Sequence, residues 1–193
     1  GHLKIIRKEM EKMKRKGLLF VTIFVLSIFV FCPMALAQGE TYDEFVSSLQ
    51  PISINDVPND ITPLEYGSFA EAYEAINSGN IPQIARPNPF TIREYYAEAY
   101  YGGNSIHIGV YANVNDASDE GITAINSVLG WIDLLGITFE QTNYTTSIKN
   151  HGLYVDGTLY GLKKYYLVID TGLYLKSDPI SQNFQFFKSD FLN

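Results

Sequence analysis

Apolar and polar residues alternate along the two segments that flank Gly103-Asn104, within the stretch from Thr91 to Asn115. The Gly-Asn dipeptide tolerates the positive φ angles of a tight hairpin turn, so a two-residue loop fixes the pairing of the segments. One face then carries the largely apolar pairs Tyr101/Ile106, Ala99/Ile108, Ala97/Val110, Tyr95/Ala112 and Arg93/Val114. The opposite face carries Tyr100/His107, Glu98/Gly109, Tyr96/Tyr111 and Glu94/Asn113. A slip of one residue would mix the two sets, so the pattern predicts a β-hairpin in this register.

Helical spacing appears in three other places. A short amphipathic helix containing Phe45 is expected after Gln38. Ser68 and Glu71 form a capping-box pattern that opens a helix through about Asn77, which Gly79 ends. The strongest helical signal is a stripe of residues three or four apart, closed by Gly136, and it also predicts that Trp131 belongs to the core. The stripe consists of Ile122, Ile125, Val128, Leu129, Ile132 and Leu135.

The last third of the chain has strand composition, with β-branched and aromatic residues in 137–148 and 164–170. Turns are predicted at Asn150-His151-Gly152, Asp156-Gly157 and Asp170-Thr171-Gly172. Asp178 and Pro179 favour a final helix, with an edge strand through Phe184 to Phe187 as the alternative. Together these elements predict an α+β fold, in which two or three helices pack on one face of an antiparallel sheet of about five or six strands.

The first 37 residues differ in kind from the remaining 156 and predict a leader followed by a single domain, 38–193. Lys14, Arg15 and Lys16 precede a 14-residue apolar run from Leu18 to Phe31, and Ala35-Leu36-Ala37 matches a signal-peptidase site. Cleavage after Ala37 would give a secreted or cell-envelope protein with no membrane segment. The alternatives are anchoring by an uncleaved helix and a prepilin-like site after Gly17.

Charge and cysteine content narrow the functional classes. The segment after Ala37 has seven basic and nineteen acidic side chains, a net charge of −12, which argues against nucleic acid and anionic lipid as partners. The only cysteine, Cys32, lies in the leader, so disulfides and thiolate chemistry are excluded after cleavage. Solubility in an exposed compartment is the simplest interpretation of the acidity.

The sequence has no signature of a cofactor or metal enzyme. No HExxH, P-loop, G-x-G-x-x-G or G-x-S-x-G pattern occurs, and we expect neither a cofactor nor a metal. The run Asp116–Gly121 is similar to a calcium loop, but Ser127 stands where a bidentate Glu is required, and helix capping explains the same residues. Asn143-Tyr144-Thr145 matches a glycosylation sequon, which has meaning only in a host that glycosylates exported proteins.

The remaining feature is the tyrosine-rich polar face of the predicted hairpin. Aromatic rings beside carboxylates on an open sheet can stack on sugars or bind a protein partner. Two structural interpretations compete with this one: the cross-strand rings stabilise the sheet, or another element covers the face. The predicted binding residues are Glu94, Tyr96, Glu98, Tyr100, His107 and Tyr111.

These observations favour an exported, non-catalytic binding protein, whose partner would be an envelope glycan or another exported protein. The alternative is a metal-free secreted hydrolase that uses a Ser or Asp together with His107 or His151. It requires one of these histidines in a pocket, within hydrogen-bond reach of both a hydroxyl and a carboxylate.

Overall fold

A computed structural model describes residues 39–84, 95–115 and 121–191. The segment predicted to be a leader, Glu94, the proline-rich stretch 85–90 and most of the run Asp116–Gly121 lie outside the described residues. The described chain is mostly β, with eight strands in curled antiparallel sheets and two short α-helices. The expected α+β fold, with helices packed on one sheet face, is therefore wrong.

The larger sheet has five strands and is built on a long hairpin. Strands β7 (Tyr154–Ile169) and β8 (Gly172–Phe187) pair along their full length, and β1 (Gln50–Pro51) adds to β8. The other edge of β7 is shared by β6 (Ile137–Lys149), which is antiparallel to it, and β2 (Leu64–Tyr66), which is parallel. The predicted turns before β7 and at Asp170-Thr171 are confirmed, with positive φ at Asn150, His151, Gly152 and Asp170.

The smaller sheet contains β3 (Tyr96–Tyr101), β4 (Ile106–Asn115) and β5 (Gly121–Trp131), in that order. Its first hairpin has the predicted register, from Tyr101 opposite Ile106 to Tyr96 opposite Tyr111. The predicted apolar face packs inward: Ala97, Ile106, Ile108 and Val110 are buried. The turn is closed by the Ser105 amide donating to the Gly102 carbonyl, and Ser105 carries the positive φ angle.

Among the described residues, two α-helices precede the smaller sheet. Helix α1 (Tyr42–Ser48) starts at a capping box formed by Thr41 and Glu44, and its Phe45 is fully buried. Helix α2 (Phe69–Ser78) starts at Ser68, as predicted, and ends at Gly79 in the left-handed conformation. Single turns of 3-10 helix occur at Ile54–Asp56 and Lys188–Phe191. No helix among the described residues is both long and apolar enough to cross a bilayer.

Both sheets contribute to one hydrophobic core, which gives the fold its principal stabilisation. Ile106, Ile108 and Val110 enter it from the smaller sheet. Val155, Leu159, Leu167, Phe184 and Phe186 enter it from the larger one.

The predicted long helix over Ile122–Leu135 is wrong, because most of that segment is strand β5. Two bulges explain the misleading spacing: Thr123 and Asn126 have no partner in the register with β4. Each extra residue delays the next inward position by one, so Ile122, Ile125 and Val128 all face the core at intervals of three. A doubly bulged strand therefore reproduces the apolar spacing of a helix.

The predicted final helix from Asp178 is also wrong, because this segment continues β8. Burial follows a period of two here: Phe184 and Phe186 are buried, whereas Gln185 and Phe187 are exposed. The edge-strand alternative at least identified the correct element type.

The turn predicted at Asp156-Gly157 is wrong, because both residues lie inside β7. Gly157 is required because the neighbouring groups leave no room for a side chain at this position. A Cβ atom there would lie 2.3 Å from the Phe184 ring and 2.4 Å from the Thr145 carbonyl oxygen. Gly161 has the same role beneath the ring of Phe139. These glycines allow aromatic rings to lie directly over the strand.

The larger sheet also buries a cation. Lys176 is 2% exposed, and its Nζ contacts carboxylates of Glu40 and Asp178. The ring of Tyr165 lies 5.4 Å from the same Nζ. Burial lowers the pKa of the neighbouring Lys163 and, together with Asp178 and Glu40, raises the pKa of Tyr165.

Candidate functional site

The outward face of the smaller sheet is a grid of three rows across β3, β4 and β5. The register places Tyr96, Tyr111 and Ser127 in one row and Glu98, Gly109 and Leu129 in the next. The third row contains Tyr100, His107 and Trp131. We call this surface the aromatic face. Its side chains point away from the core because the alternate residues on each strand are the buried ones.

Five of the six residues predicted as binding residues are brought together on the aromatic face. Tyr96, Tyr111 and His107 are partly buried, while Glu98 and Tyr100 are exposed. Glu94, the sixth, lies outside the described residues. The rings of Tyr96 and Tyr111 are 5.1 Å apart between centroids, a distance typical of a favourable aromatic pair. The predicted grouping on one surface is thus observed, while its role in binding stays a prediction.

A hydrogen-bonded chain runs through the middle of this face. The Tyr96 hydroxyl donates to Oε2 of Glu98 at 2.8 Å, and the other oxygen of Glu98 lies 3.2 Å from Nδ1 of His107. Nε2 of His107 lies 3.3 Å from Oδ2 of Asp133. The orientation of the His107 ring is therefore set by carboxylates on both sides.

Two aromatic rings contact the imidazole, one stacked on its face and one tilted against it. Trp131 stacks on His107 almost in parallel, at 12° and 5.2 Å between centroids, and Tyr100 lies 4.8 Å away on the same strand pair. Trp131 was expected in the core, but it is half-buried and belongs to the aromatic face. The stacked indole adds to the carboxylate contacts that fix the orientation of the imidazole.

A depression of about 530 Å³ opens beside His107. One wall comes from Gln83 and Ile84, which are held against the end of β5 because the Ile84 amide donates to the Asp133 carbonyl. Oδ1 of Asp133 is buried in this region without a hydrogen-bond partner. A buried carboxylate oxygen without a donor is costly, so the depression favours a ligand that can donate a hydrogen bond there.

Trp131, Asp133 and Leu129 were missed as site residues by the sequence interpretation. The predicted helix over 122–135 gave no reason to place these side chains near the hairpin. The pairing of β5 with β4 places them beside His107.

The hydrolase alternative requires a hydroxyl within hydrogen-bond reach of a histidine, and Ser105 lines the same depression as His107 and Asp133. Both nitrogens of His107 face carboxylates, and no described Ser, Thr or Tyr hydroxyl is hydrogen-bonded to it. His151 is exposed in the turn before β7, with φ of 54°. The described side chains also contain no group of three or more His, Cys, Asp or Glu residues placed to hold a metal ion.

Comparisons with other proteins add no functional information. No protein-family model, no curated protein and no solved structure matches this chain. Function must therefore be argued from the chemistry of the described surfaces.

Proposed function

We propose that the protein is an exported, non-catalytic binding module of the cell envelope or extracellular space. In this proposal it recognises an envelope glycan or another exported protein through the aromatic face. The observation that carries the proposal is the row of Tyr100, His107 and Trp131 beside two carboxylates and an open depression.

Several properties of the face suit binding. Tyr100 is 50% exposed, and Leu129 in the adjacent row is 38% exposed, so a ligand can reach apolar surface there. Tyrosine and tryptophan rings present large apolar areas and lose little conformational entropy on binding. Glu98, which is exposed, offers carboxylate acceptors to sugar hydroxyls or to a basic partner side chain. Because the imidazole is held on four sides, the surface is largely organised before a ligand arrives.

Export rests on the leader pattern alone: basic residues, the apolar run and Ala35-Leu36-Ala37. Intact mass of the protein from its native host tests this part. A mass beginning at Gln38 supports export and cleavage, whereas a mass that retains Leu18–Phe31 would indicate an anchored protein.

Binding is tested with Tyr100→Ala and with Tyr144→Ala as its matched control. Both tyrosines are exposed, but Tyr144 lies on β6, outside the aromatic face. We expect Tyr100→Ala to weaken binding to the host's envelope polysaccharide and exported-protein fractions at least tenfold, on the scale of aromatic hot spots. Tyr144→Ala should bind like the unmodified protein. Equal binding by both variants, or no binding by the unmodified protein, would contradict the proposal.

A further inference from the structure

A second polar surface lies on the larger sheet, on the face of β6, β7 and β8 that points away from the core. It is organised in rows by the strand register: Ser147, Asp156 and Gln185 form one row, and Thr145, Thr158 and Asn183 form the next. These residues border a groove of about 760 Å³. We call it the β6–β8 groove.

The polar side chains that line this groove are almost all uncharged. Asp156 is the one formally charged residue among the described residues that line it. The other polar side chains are hydroxyls and amides, which can both donate and accept hydrogen bonds. Thr158 already donates to Oδ1 of Asn183 at 2.8 Å, so part of the row is oriented.

Asp156 supplies the observation that points to a ligand. Its Oδ1 atom is buried without a hydrogen-bond partner, although the residue lies on the outward face of β7. A carboxylate oxygen removed from water costs free energy until a donor reaches it. No described Lys or Arg lines the groove to supply that donor.

Aromatic rings lie in the rows on either side of the two polar rows. Tyr154 and Phe187 form a ring pair 5.7 Å apart, in the row next to Asp156, and Phe187 is 46% exposed. Tyr160 is 39% exposed and lies four residues beyond Asp156, about 13 Å along the strand. Exposed rings on either side of hydrogen-bonding groups offer stacking surfaces to a ring-shaped ligand with apolar faces.

From this arrangement we propose that the β6–β8 groove binds a neutral oligosaccharide, at a site separate from the aromatic face. Sugar hydroxyls donate to Oδ1 of Asp156 and exchange hydrogen bonds with Thr145, Ser147 and Gln185. The C–H faces of the sugar rings stack on Phe187 and Tyr160. Apart from Asp156, the described lining carries no formal charge, and this favours an uncharged ligand. A small cation would use Asp156 and leave the hydroxyl and amide groups without a partner in the ligand.

The test uses the full chain and a set of neutral oligosaccharides derived from glucan, mannan, galactan and xylan, measured by calorimetry and by NMR shift mapping. We expect at least one of them to bind and to shift resonances of the Asp156 and Thr158 rows. Asp156→Asn should weaken this binding at least tenfold, because the amide is uncharged and has one acceptor oxygen where the carboxylate has two. Gln185→Ala, at an exposed position, is the second variant should Asp156→Asn not fold.

Tyr100→Ala separates the two sites, because it lies on the aromatic face and should leave saccharide binding to the groove unchanged. If Tyr100→Ala abolishes saccharide binding while Asp156→Asn does not, the saccharide binds at the aromatic face and the groove proposal is wrong. Failure of all four glycan sets to bind would also overturn it. Binding of glucosamine oligomers in place of the neutral ones would show that the groove selects a cation.

Discussion

Nε2 of His107 lies 3.3 Å from Oδ2 of Asp133, so a residue of β4 is tied to the segment that follows β5. The same imidazole reaches Glu98 on β3 through Nδ1. One side chain of β4 thus contacts β3 and the segment after β5 on the outward face of the smaller sheet. Its removal would leave Glu98 and Asp133 without the partner that they share.

We therefore expect His107→Asn to lower the free energy of unfolding by about 1–3 kcal/mol, the cost of leaving hydrogen-bonding partners unsatisfied. His151→Asn is the matched control, because His151 is exposed and its positive φ is a conformation that Asn tolerates. The free energy of unfolding of both variants is measured by urea unfolding. The signal is the fluorescence of Trp131, which stacks on His107. Equal stability of the two variants would mean that the acid–imidazole contacts contribute nothing.

Adjacent residues of β5 should respond very differently to the same substitution. Val128 is 1% exposed and faces the core, whereas Leu129 is 38% exposed on the aromatic face. Val128→Asn should cost about 2 kcal/mol or more because it buries an unsatisfied amide. Leu129→Asn should change stability by about 0.5 kcal/mol or less. A helix with both residues in its apolar stripe would be destabilised by both changes, so urea unfolding of the pair distinguishes strand from helix.

Gly157 should not tolerate even a methyl group. The new Cβ would overlap the Phe184 ring and the Thr145 carbonyl, and forced repacking of this kind costs about 1–3 kcal/mol. Gly103→Ala is the control, since no heavy atom lies within 4 Å of its added Cβ. Thermal unfolding should show a lower midpoint for Gly157→Ala alone. Unchanged midpoints for both would indicate that the ring does not lie over β7 in solution.

Alkaline pH should destabilise the protein in part through Tyr165. Burial is the main cause that raises the pKa of Tyr165 above its ordinary value. The raised pKa contributes stability that is complete below about pH 10, the ordinary tyrosine pKa, and is lost as the pH rises toward the folded-state value. Urea unfolding between pH 8 and 11 gives the slope of the free energy of unfolding against pH. This slope is compared between the unmodified protein and Tyr165→Phe.

One titrating tyrosine changes the free energy of unfolding by at most about 1.4 kcal/mol per pH unit. Tyr165→Phe should therefore remove the part of the pH dependence above pH 10 that comes from Tyr165. Burial also raises the pKa of Tyr66 and Tyr101, so a smaller loss should persist in the variant. Lys163 has the opposite sign, because burial lowers its pKa, but it is present in both proteins and does not enter the difference. Identical slopes would contradict the burial of the Tyr165 hydroxyl.

The hairpin register could be predicted because two independent local signals agree. The Gly103-Asn104 turn sets one pairing, and the alternation of apolar residues on both sides selects the same one. The helix beginning at Ser68 was predictable for a similar reason: its cap, its apolar spacing and Gly79 all lie within one short segment. Such local agreement was enough to group Tyr96, Glu98, Tyr100, His107 and Tyr111 on one surface.

What could not be predicted depends on contacts between distant segments. The bulges at Thr123 and Asn126 are stabilised by hydrogen bonds to Asn113, on another strand, and nothing in residues 121–135 announces them. Gly157 resembles a turn residue until the ring of Phe184 is placed over it. The position of Asp133 beside His107 likewise follows only from the pairing of β4 with β5.

The pairing of β2 with β7 has a consequence for how the chain folds. Leu64–Tyr66 lie beside Leu167–Ile169, about a hundred residues later in the chain. Strand β1 likewise pairs with a strand far along the chain, β8. Contacts across such separations slow folding, because a long loop must close before they form. A nascent chain that ends before Gly172 lacks the strand that pairs with β7 along its whole length, so the larger sheet is incomplete at that stage of synthesis. One edge of β7 should therefore remain accessible to chaperones and proteases until β8 has been made.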